Sequence, residues 1–343
     1  MRIFSDLTQA RLVRFRKMRR AYYSFWVLSV AYIFSLLATL LVNDRPIYFS
    51  YQGESYFPIF CHYTEQDFGG QYLTEANYNN LLQNEHFLDK ASSIISPPIY
   101  QNPLRSHLYL EDAPPHAPSW DHWLGTDESA RDVLARLIYG FRNCMSFSLL
   151  LTIAIAILGI LIGGIQGYAG GLTDLISQRL IEIWASLPFL YVVIIIGSIY
   201  ERGFFMLVAI LALFSWIGLS YYMRAEFLKL KNMNYIRVAR ALGLSKTRIF
   251  FKHILPNGLT PVVTLLPFSL IGGISALTSL DFLGFGLNPP TPSWGELLSQ
   301  GLKNLHAPWI TVSTVCALFI TLMLAAFIGE GVREAFDPKG DEK

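Results

Sequence analysis

The chain has 343 residues, 52% of them apolar and only 15% charged, with a formal net charge of +2. Soluble globular chains carry about 25% charged residues, so this one is short of the groups that keep a surface wet. Together with a mean hydropathy of +0.37, that argues against a disordered chain, a basic nucleic-acid binder and an ordinary water-soluble enzyme. Three cysteines exclude a disulfide-rich scaffold, and Cys61, Cys144 and Cys316 are too far apart for a CxxC zinc site.

Residues 1–20 form a basic arm in which Arg2, Arg11, Arg14, Arg16, Lys17, Arg19 and Arg20 stand against the single acid Asp6. The next 22 residues, 21–42, carry no charge. A signal peptide has this polarity, but its apolar core spans about 7–15 residues and ends in small side chains. This block is longer and runs through bulky residues to Asn43-Asp44, which predicts an uncleaved anchor. Residues 43–142 then hold thirteen acids, six basic residues and many prolines, among them Pro97, Pro98, Pro114 and Pro115. Proline interrupts helix and sheet alike, so short elements and irregular backbone are expected there. The stretch 126–139 reads as a helix capped by Thr126 or Asp127, with Val133, Leu134, Leu137 and Ile138 on one apolar face. It suits a surface helix leading into the membrane or a buried connector equally well.

Five further apolar blocks follow at 145–168, 183–200, 203–223, 256–280 and 309–329. About 20 residues of helix cross ~30 Å of hydrocarbon, so the prediction is an all-α polytopic membrane protein with six transmembrane helices. Basic residues near span ends stay in the cytoplasm. The arm, the basic segment 224–255 and the tail 336–343 are therefore expected inside, and 43–142 is expected outside as a large periplasmic insert. Within 145–168, Gly159, Gly163 and Gly167 form a stripe for close helix packing, within the chain or between subunits. No block carries an ionisable residue at mid-depth, since Glu182 and Asp281 sit at ends. That argues against a proton-driven carrier, while sites built from backbone carbonyls stay open. Pro188, Pro261 and Pro267 are candidate kinks.

Segment 224–255 sets eight basic residues against Glu226 alone. Gly243 suits the left-handed position past a helix end, Ser245 is a good N-cap for a second helix, and Pro256 is expected to close it. Ile236, Ala239 and Leu242 share one face, Ile249, Phe250 and Ile254 add apolar bulk, and Arg237, Arg240, Arg248 and Lys252 surround them. Such a helix pair is shaped to press into a groove on a cytoplasmic partner, although its charge also enforces topology.

This segment resembles the coupling segment of ABC importer permeases, whose pattern is E-A-A-x3-G-x9-I-x-L-P. Ala239, Gly243, Leu255 and Pro256 match, while Arg237, Val238 and His253 replace the pattern's Glu, Ala and Ile. Two other stretches resemble the dipeptide and oligopeptide branch. Leu124-Gly-Thr-Asp-Glu-Ser-Ala-Arg-Asp-Val-Leu-Ala-Arg-Leu-Ile-Tyr-Gly140 is similar to LGTDxxGRDxxSRxxxG, with Ala130 and Ala135 in place of Gly and Ser. Residues 281–295, DFLGFGLNPPTPSWG, are similar to FLGLGxxPPxPxWG. The outer segment, with FGGQYLTEAN at 68–77, most resembles Yej-type peptide permeases.

The resemblance implies a permease subunit for oligopeptides, or for peptide-nucleotide antibiotics such as microcin C, in a bacterial inner membrane. It implies a second homologous permease subunit, a cytoplasmic ABC ATPase with two nucleotide-binding domains and a periplasmic peptide-binding protein, alongside membrane lipid and with no nucleic-acid partner. ATP and Mg would be held by the partner subunits: this chain has no GxxxxGK[ST], as Lys246-Thr247 lacks the preceding glycine. On this reading Ala239, Arg240, Ala241, Leu242, Gly243, Ser245, Leu255 and Pro256 shape the coupling to the ATPase. Gly125, Thr126, Asp127, Arg131, Asp132, Gly284, Gly286, Trp294 and Gly295 belong to the outer face, with structural uses such as capping by Asp127 and interfacial anchoring by Trp294. A channel or secondary carrier would also show six spans but leaves the punctuated basic loop unexplained. A membrane enzyme would need a nucleophile–base or metal set, and neither HExxH nor Gly-x-Ser-x-Gly occurs. His116 and His122 are near each other by chance spacing, and a Cys61–Cys144 disulfide has only their outer positions in its favour.

Overall fold

The structure is a computed structural model and describes residues 6–70, 72–107 and 113–337. Arg2 of the basic arm and residues 338–343 of the tail lie outside the described residues. The chain divides into two compact units, one of residues 1–29, 144–289 and 317–343, the other of residues 30–143 and 290–316. In chain order the first elements are α1 (Asp6–Lys17), α2 (Arg19–Leu36), α3 (Ala38–Leu41), β1 (Tyr48–Tyr51) and β2 (Glu54–Tyr56). A 3-10 turn at Glu65–Phe68, α4 (Tyr78–Leu81), α5 (Glu85–Leu88) and β3 (Ala91–Ile95) come next. The long helices then begin: α6 (Val133–Ala169), α7 (Gly171–Ala185), α8 (Phe189–Ile199) and α9 (Phe204–Leu230). After them come α10 (Asn234–Ala241), α11 (Lys246–Ile249), a π turn (Phe250–Ile254), α12 (Leu255–Gly258), α13 (Thr260–Phe282), α14 (Trp294–Lys303) and α15 (Pro308–Phe336).

Four of these, α6, α9, α13 and α15, are long and apolar enough to cross a membrane. The α7–α8 pair, bent by 69° at its break, makes a fifth if it is one span. The block predicted at 183–200 therefore starts inside the end of α7 and turns at Ser186–Pro188, where Pro188 is the residue before α8. The block at 21–42 is divided as well. Its helix takes in Arg19 and Arg20 and gives way at Leu37, which leaves 18 residues in α2 and four in α3.

In the first unit the glycine stripe of α6 packs on α9. A Cβ on Gly163 would overlap the backbone of Ser220, one on Gly167 would stand 2.5 Å from the carbonyl oxygen of Arg224, and one on Gly159 would crowd Leu219. The stripe is therefore an intrachain contact in which backbones touch. Arg224 on α9 binds Asp174 of α7 in two-pronged fashion, Nε to Oδ1 at 2.5 Å and Nη2 to Oδ2 at 2.7 Å.

The second unit contains a small antiparallel sheet of order β2-β1-β3, with Phe49 opposite Tyr56 and Tyr48 opposite Ile95. Its core is aromatic. Phe49, Tyr51, Phe68, Tyr78 and Phe87 are buried together, and Tyr51 stacks on Phe87 at 5.0 Å between ring centres. Short elements were expected from the prolines; the sheet itself was hidden by weak alternation.

Replacing Gly163 by alanine is expected to reduce recovery of monodisperse protein after detergent extraction. Gly272→Ala, at a helical position with no neighbour within 4 Å, is expected to leave recovery unchanged. Size-exclusion profiles of the two variants check this, and equal recovery would contradict it.

Candidate functional site

Segment 224–255 is more helical than predicted at its start and continuous at its end. Helix α9 carries on to Leu230, seven residues past the predicted span end at 223. Helix α10 closes as expected: Gly243 has φ +79°, its N–H donates to the Arg240 carbonyl at 3.0 Å, and the Leu244 N–H donates to the Ala239 carbonyl at 3.2 Å. A residue with a Cβ is strained in that conformation. Ser245 caps α11, its hydroxyl accepting from the Arg248 N–H at 3.3 Å. Pro256 does not close the helix. It sits just past the π turn, and the chain passes without a break from α11 through that turn into α12.

The apolar ridge also differs from expectation. Ile236, Ala239, Ile249, Phe250 and Ile254 are buried within the chain, so they hold the segment in place and do not face a partner. On α10 and the residue that ends it, Tyr235 (43%), Val238 (57%) and Leu242 (76%) are exposed, spaced i, i+3 and i+7 along one side, and Met233 (37%) and Phe251 (58%) are exposed elsewhere in the segment. Arg237, Arg240, Ala241, Lys246 and Arg248 are exposed around them, while Leu255 is half-buried. Beneath lies Phe227 of α9, wholly buried. A Cβ on Gly164 or Gly258 would press on its ring, and its ring centre is 5.4 Å from that of Phe250. The Tyr168 hydroxyl near the end of α6 donates to the Lys246 carbonyl at 3.2 Å. Side chains of α6 and α9 thus grip the segment from two sides.

In the same unit, the DFLGFG stretch ends α13. Asp281 accepts from the Leu287 N–H at 2.7 Å, Gly286 lies against that carboxylate, and the Gly284 carbonyl accepts from Arg202.

In the second unit, the helix predicted at 126–139 begins only at Val133. Asp132, not Thr126 or Asp127, caps it, accepting from the Ala135 N–H at 2.7 Å. Asp127 instead holds a tight turn, its Oδ1 accepting from the N–H groups of Ser129 at 2.9 Å and Arg131 at 3.0 Å, and Ala130 takes φ +56°. Being the start of a 37-residue helix, the stretch is not a surface helix. Trp294 is no interfacial anchor: it is 1% exposed, its Nε1 donates to the Leu137 carbonyl at 3.0 Å, and it stacks on Phe141 at 5.8 Å. Gly295 is buried beside it. Gly125 accepts from the Val133 N–H at 3.1 Å, and the Thr126 hydroxyl accepts from the His116 N–H at 2.8 Å.

These residues surround a buried charge cluster. Arg131 Nε donates to Asp127 Oδ2 at 2.8 Å and its Nη2 to Glu296 Oε1 at 3.0 Å. Arg136, with a fully buried side chain, pairs with Glu296 and donates to the Pro103 carbonyl at 3.1 Å. Its Nε lies 3.3 Å from Asp127 Oδ2, an ion pair rather than an aligned hydrogen bond. Gln300 Nε2 donates to Glu296 Oε1 at 3.0 Å. Two guanidiniums thus meet two carboxylates with nearly every polar atom engaged, the condition under which buried charge is tolerated. Burial opposes the charge on Arg131, but Asp127 and Glu296 outweigh it and raise its pKa above the ordinary value. Next to this, His122 Nδ1 lies 3.0 Å from Asp132 Oδ2, and its ring packs at 4.7 Å on that of His107. Burial, then the His122 ring, lower the His107 pKa below 6.5, against the opposing pull of Asp132.

Reasoning from sequence missed Arg136, Glu296, His107 and the partner of His122. The signal was the charge at 127, 131, 132 and 136, with each of these acids four residues before a base at the mouth of an apolar block. Among the described residues no cluster of His, Cys, Asp and Glu is arranged to hold a metal ion. Cys61, Cys144 and Cys316 form no disulfide with one another.

Residues 132–340 match the model of the family described as binding-protein-dependent transport system inner membrane component. The chain is 44% identical over 361 residues to the peptidoglycan transport system permease protein YejE of Agrobacterium fabrum, covering 98% of this chain and 94% of that one. It is 43% identical over 334 residues to the inner membrane ABC transporter permease protein YejE of Escherichia coli, covering 97% and 98%. It is also 37% identical over 223 residues to the oligopeptide transport system permease protein OppC of Haemophilus influenzae, covering 64% and 70%. The chain belongs to the family of inner membrane components of binding-protein-dependent transport systems. It is a multi-pass inner membrane protein and the permease subunit of an ABC importer.

Two outcomes are expected. Arg136→Met leaves Asp127 and Glu296 undercompensated and should lower stability by about 3–5 kcal/mol, while Arg136→Met/Glu296→Leu should lose less than the sum of its single variants; thermal unfolding of the purified chain reads both. The folded state resists protonation at His107, so its contribution is full above 6.5 and is lost as pH falls below that value. His107→Gln should therefore flatten the decline in melting temperature between pH 7 and pH 5.

Proposed function

We propose that this chain imports peptides as one half of an ATP-driven translocation pathway, coupled by α10 and α11 to cytoplasmic ATPases. The carrying observation is the ridge of Tyr235, Val238 and Leu242, exposed and apolar amid basic residues, on a segment anchored to two long helices by Phe227 and Tyr168. A side chain such as Leu242, bare at a helix end, fits the groove of a partner. The peptide class rests on likeness to the oligopeptide permease named above and on the three sequence motifs; microcin C is one candidate cargo within it.

In this reading six helices span the membrane, with α2 and α3 together forming the first and α7–α8 contributing the third. Both termini and the coupling segment face the cytoplasm, as the basic arm and the eight basic residues of 224–255 support. Residues 43–142, rich in acids, face the periplasm, where a peptide-binding protein delivers cargo. A second permease completes the pathway. ATP and Mg are bound by the two nucleotide-binding domains of the ATPase, and their closure displaces α10. Because backbone packs on backbone between α6 and α9, the displacement passes into the spans as a rigid movement, opening the pathway alternately to each side.

The test is peptide uptake into proteoliposomes holding the complete complex. Uptake should require ATP and the ATPase subunits, and uptake by this chain alone would overturn the reading. Leu242→Asp should weaken ATPase association on the order of tenfold or more. Gly243→Val should abolish peptide-stimulated ATP hydrolysis while leaving membrane insertion intact; normal stimulation in that variant would contradict the coupling role.

A further inference from the structure

Between the basic arm and the C-terminal helix, the first unit leaves a groove of about 390 Å3. Phe15, Phe25, Trp26, Val263, Ile328 and Val332 contribute its apolar walls, and two guanidinium groups, Arg11 and Arg16, line it with them. The walls are held in place. Gly331 of α15 lets Ala21 of α2 lie against its backbone, Phe15 meets Phe25 edge-on at 6.4 Å, and Arg14 donates to the Asp337 carbonyl at 3.4 Å. Arg11 is stacked 4.3 Å above the ring of Phe336. Stacking uses the face of a guanidinium and leaves its N–H edge for a two-oxygen acceptor.

The groove's demands are mixed. Phe25 and Trp26 are 44% and 51% exposed, so their rings need hydrocarbon, while Arg11 and Arg16 need an anion. An acyl chain joined to a phosphate supplies both. A zwitterionic headgroup is disfavoured, because Arg14, Lys17, Arg19 and Arg20 stand close by in sequence with no acid among them and repel its ammonium. We propose that this groove binds an anionic phospholipid of the leaflet beside the N-terminal arm, with its phosphate on Arg11 and Arg16 and an acyl chain between α2 and α15. The proposal rests on the chain's spanning a bilayer and not on its cargo or ATPase partners, so either reading can fail without the other.

The test places the purified full chain in phosphatidylcholine vesicles with trace spin-labelled phosphatidylglycerol or, in parallel, spin-labelled phosphatidylcholine, and measures the motionally restricted fraction. The expected result is a preference for phosphatidylglycerol on the order of tenfold, which Arg11→Gln/Arg16→Gln abolishes. Val332→Trp, which fills the groove without altering charge, should also abolish it. Lys17→Gln/Arg19→Gln, which removes two of the four charges beside the groove, should weaken it only in part, because Arg11 and Arg16 still hold the phosphate. Unlabelled phosphatidylglycerol should compete, and inorganic phosphate should not. Equal retention of the two lipids by the unaltered chain, an undiminished preference in Val332→Trp, or equal loss in the Lys17/Arg19 variant would overturn the proposal. So would displacement by inorganic phosphate, which would mark a simple anion site.

Discussion

The absence of a side chain at Gly163 and Gly167 lets the backbone of α9 lie directly on that of α6, and segment 224–255 inherits its position from that contact. Two helices separated by side chains can slide as rotamers change; two helices in backbone contact cannot. At the end of this contact Phe227 enters the space left by Gly164 and Gly258, and Phe250 packs on Phe227. Segment 224–255 is thus an extension of the α6–α9 helix pair. That arrangement suits the proposed conversion of a push at α10 into movement of the spans.

The second unit solves a different problem. Its aromatic core lies under a three-stranded sheet, and its most demanding feature is the neutral square of Asp127, Arg131, Arg136 and Glu296. Such a cluster stabilises little compared with apolar packing, but losing one member exposes the others to an uncompensated burial. It therefore specifies geometry: the turn at 127–131, the first turn of α6 and the first turn of α14 fit together in one way. Trp294 fills the adjoining space with its indole N–H satisfied by Leu137.

What could be read from sequence was the chemistry that acts locally. Gly243 and Ser245 were legible because a left-handed helix end and an N-cap depend on a few neighbouring residues. The glycine stripe was legible as a close contact, although nothing in its spacing named α9 as the partner. Elsewhere two local signals competed. Asp127 and Asp132 are both good caps, and the pairing of Asp127 with Arg131 and Arg136 gave the first a turn and the second the helix. The ridge on α10 failed for a related reason. A helix with apolar residues at 235, 236, 238, 239 and 242 has two candidate faces, and only packing on α9 and α6 decides that Ile236 and Ala239 go inward. Glu296 was out of reach, being 160 residues from the arginine it binds.

The central claim is that the outward side of α10 meets an ATPase, and its most direct test is site-specific photocrosslinking in cells. A photoreactive amino acid placed at Leu242, and in parallel at the buried Ile236, is irradiated and the adducts are identified by mass spectrometry. The account predicts an adduct between position 242 and a nucleotide-binding subunit, with none from position 236. An ATPase adduct from 236 and not from 242, or none from either while the complex remains assembled, would contradict it.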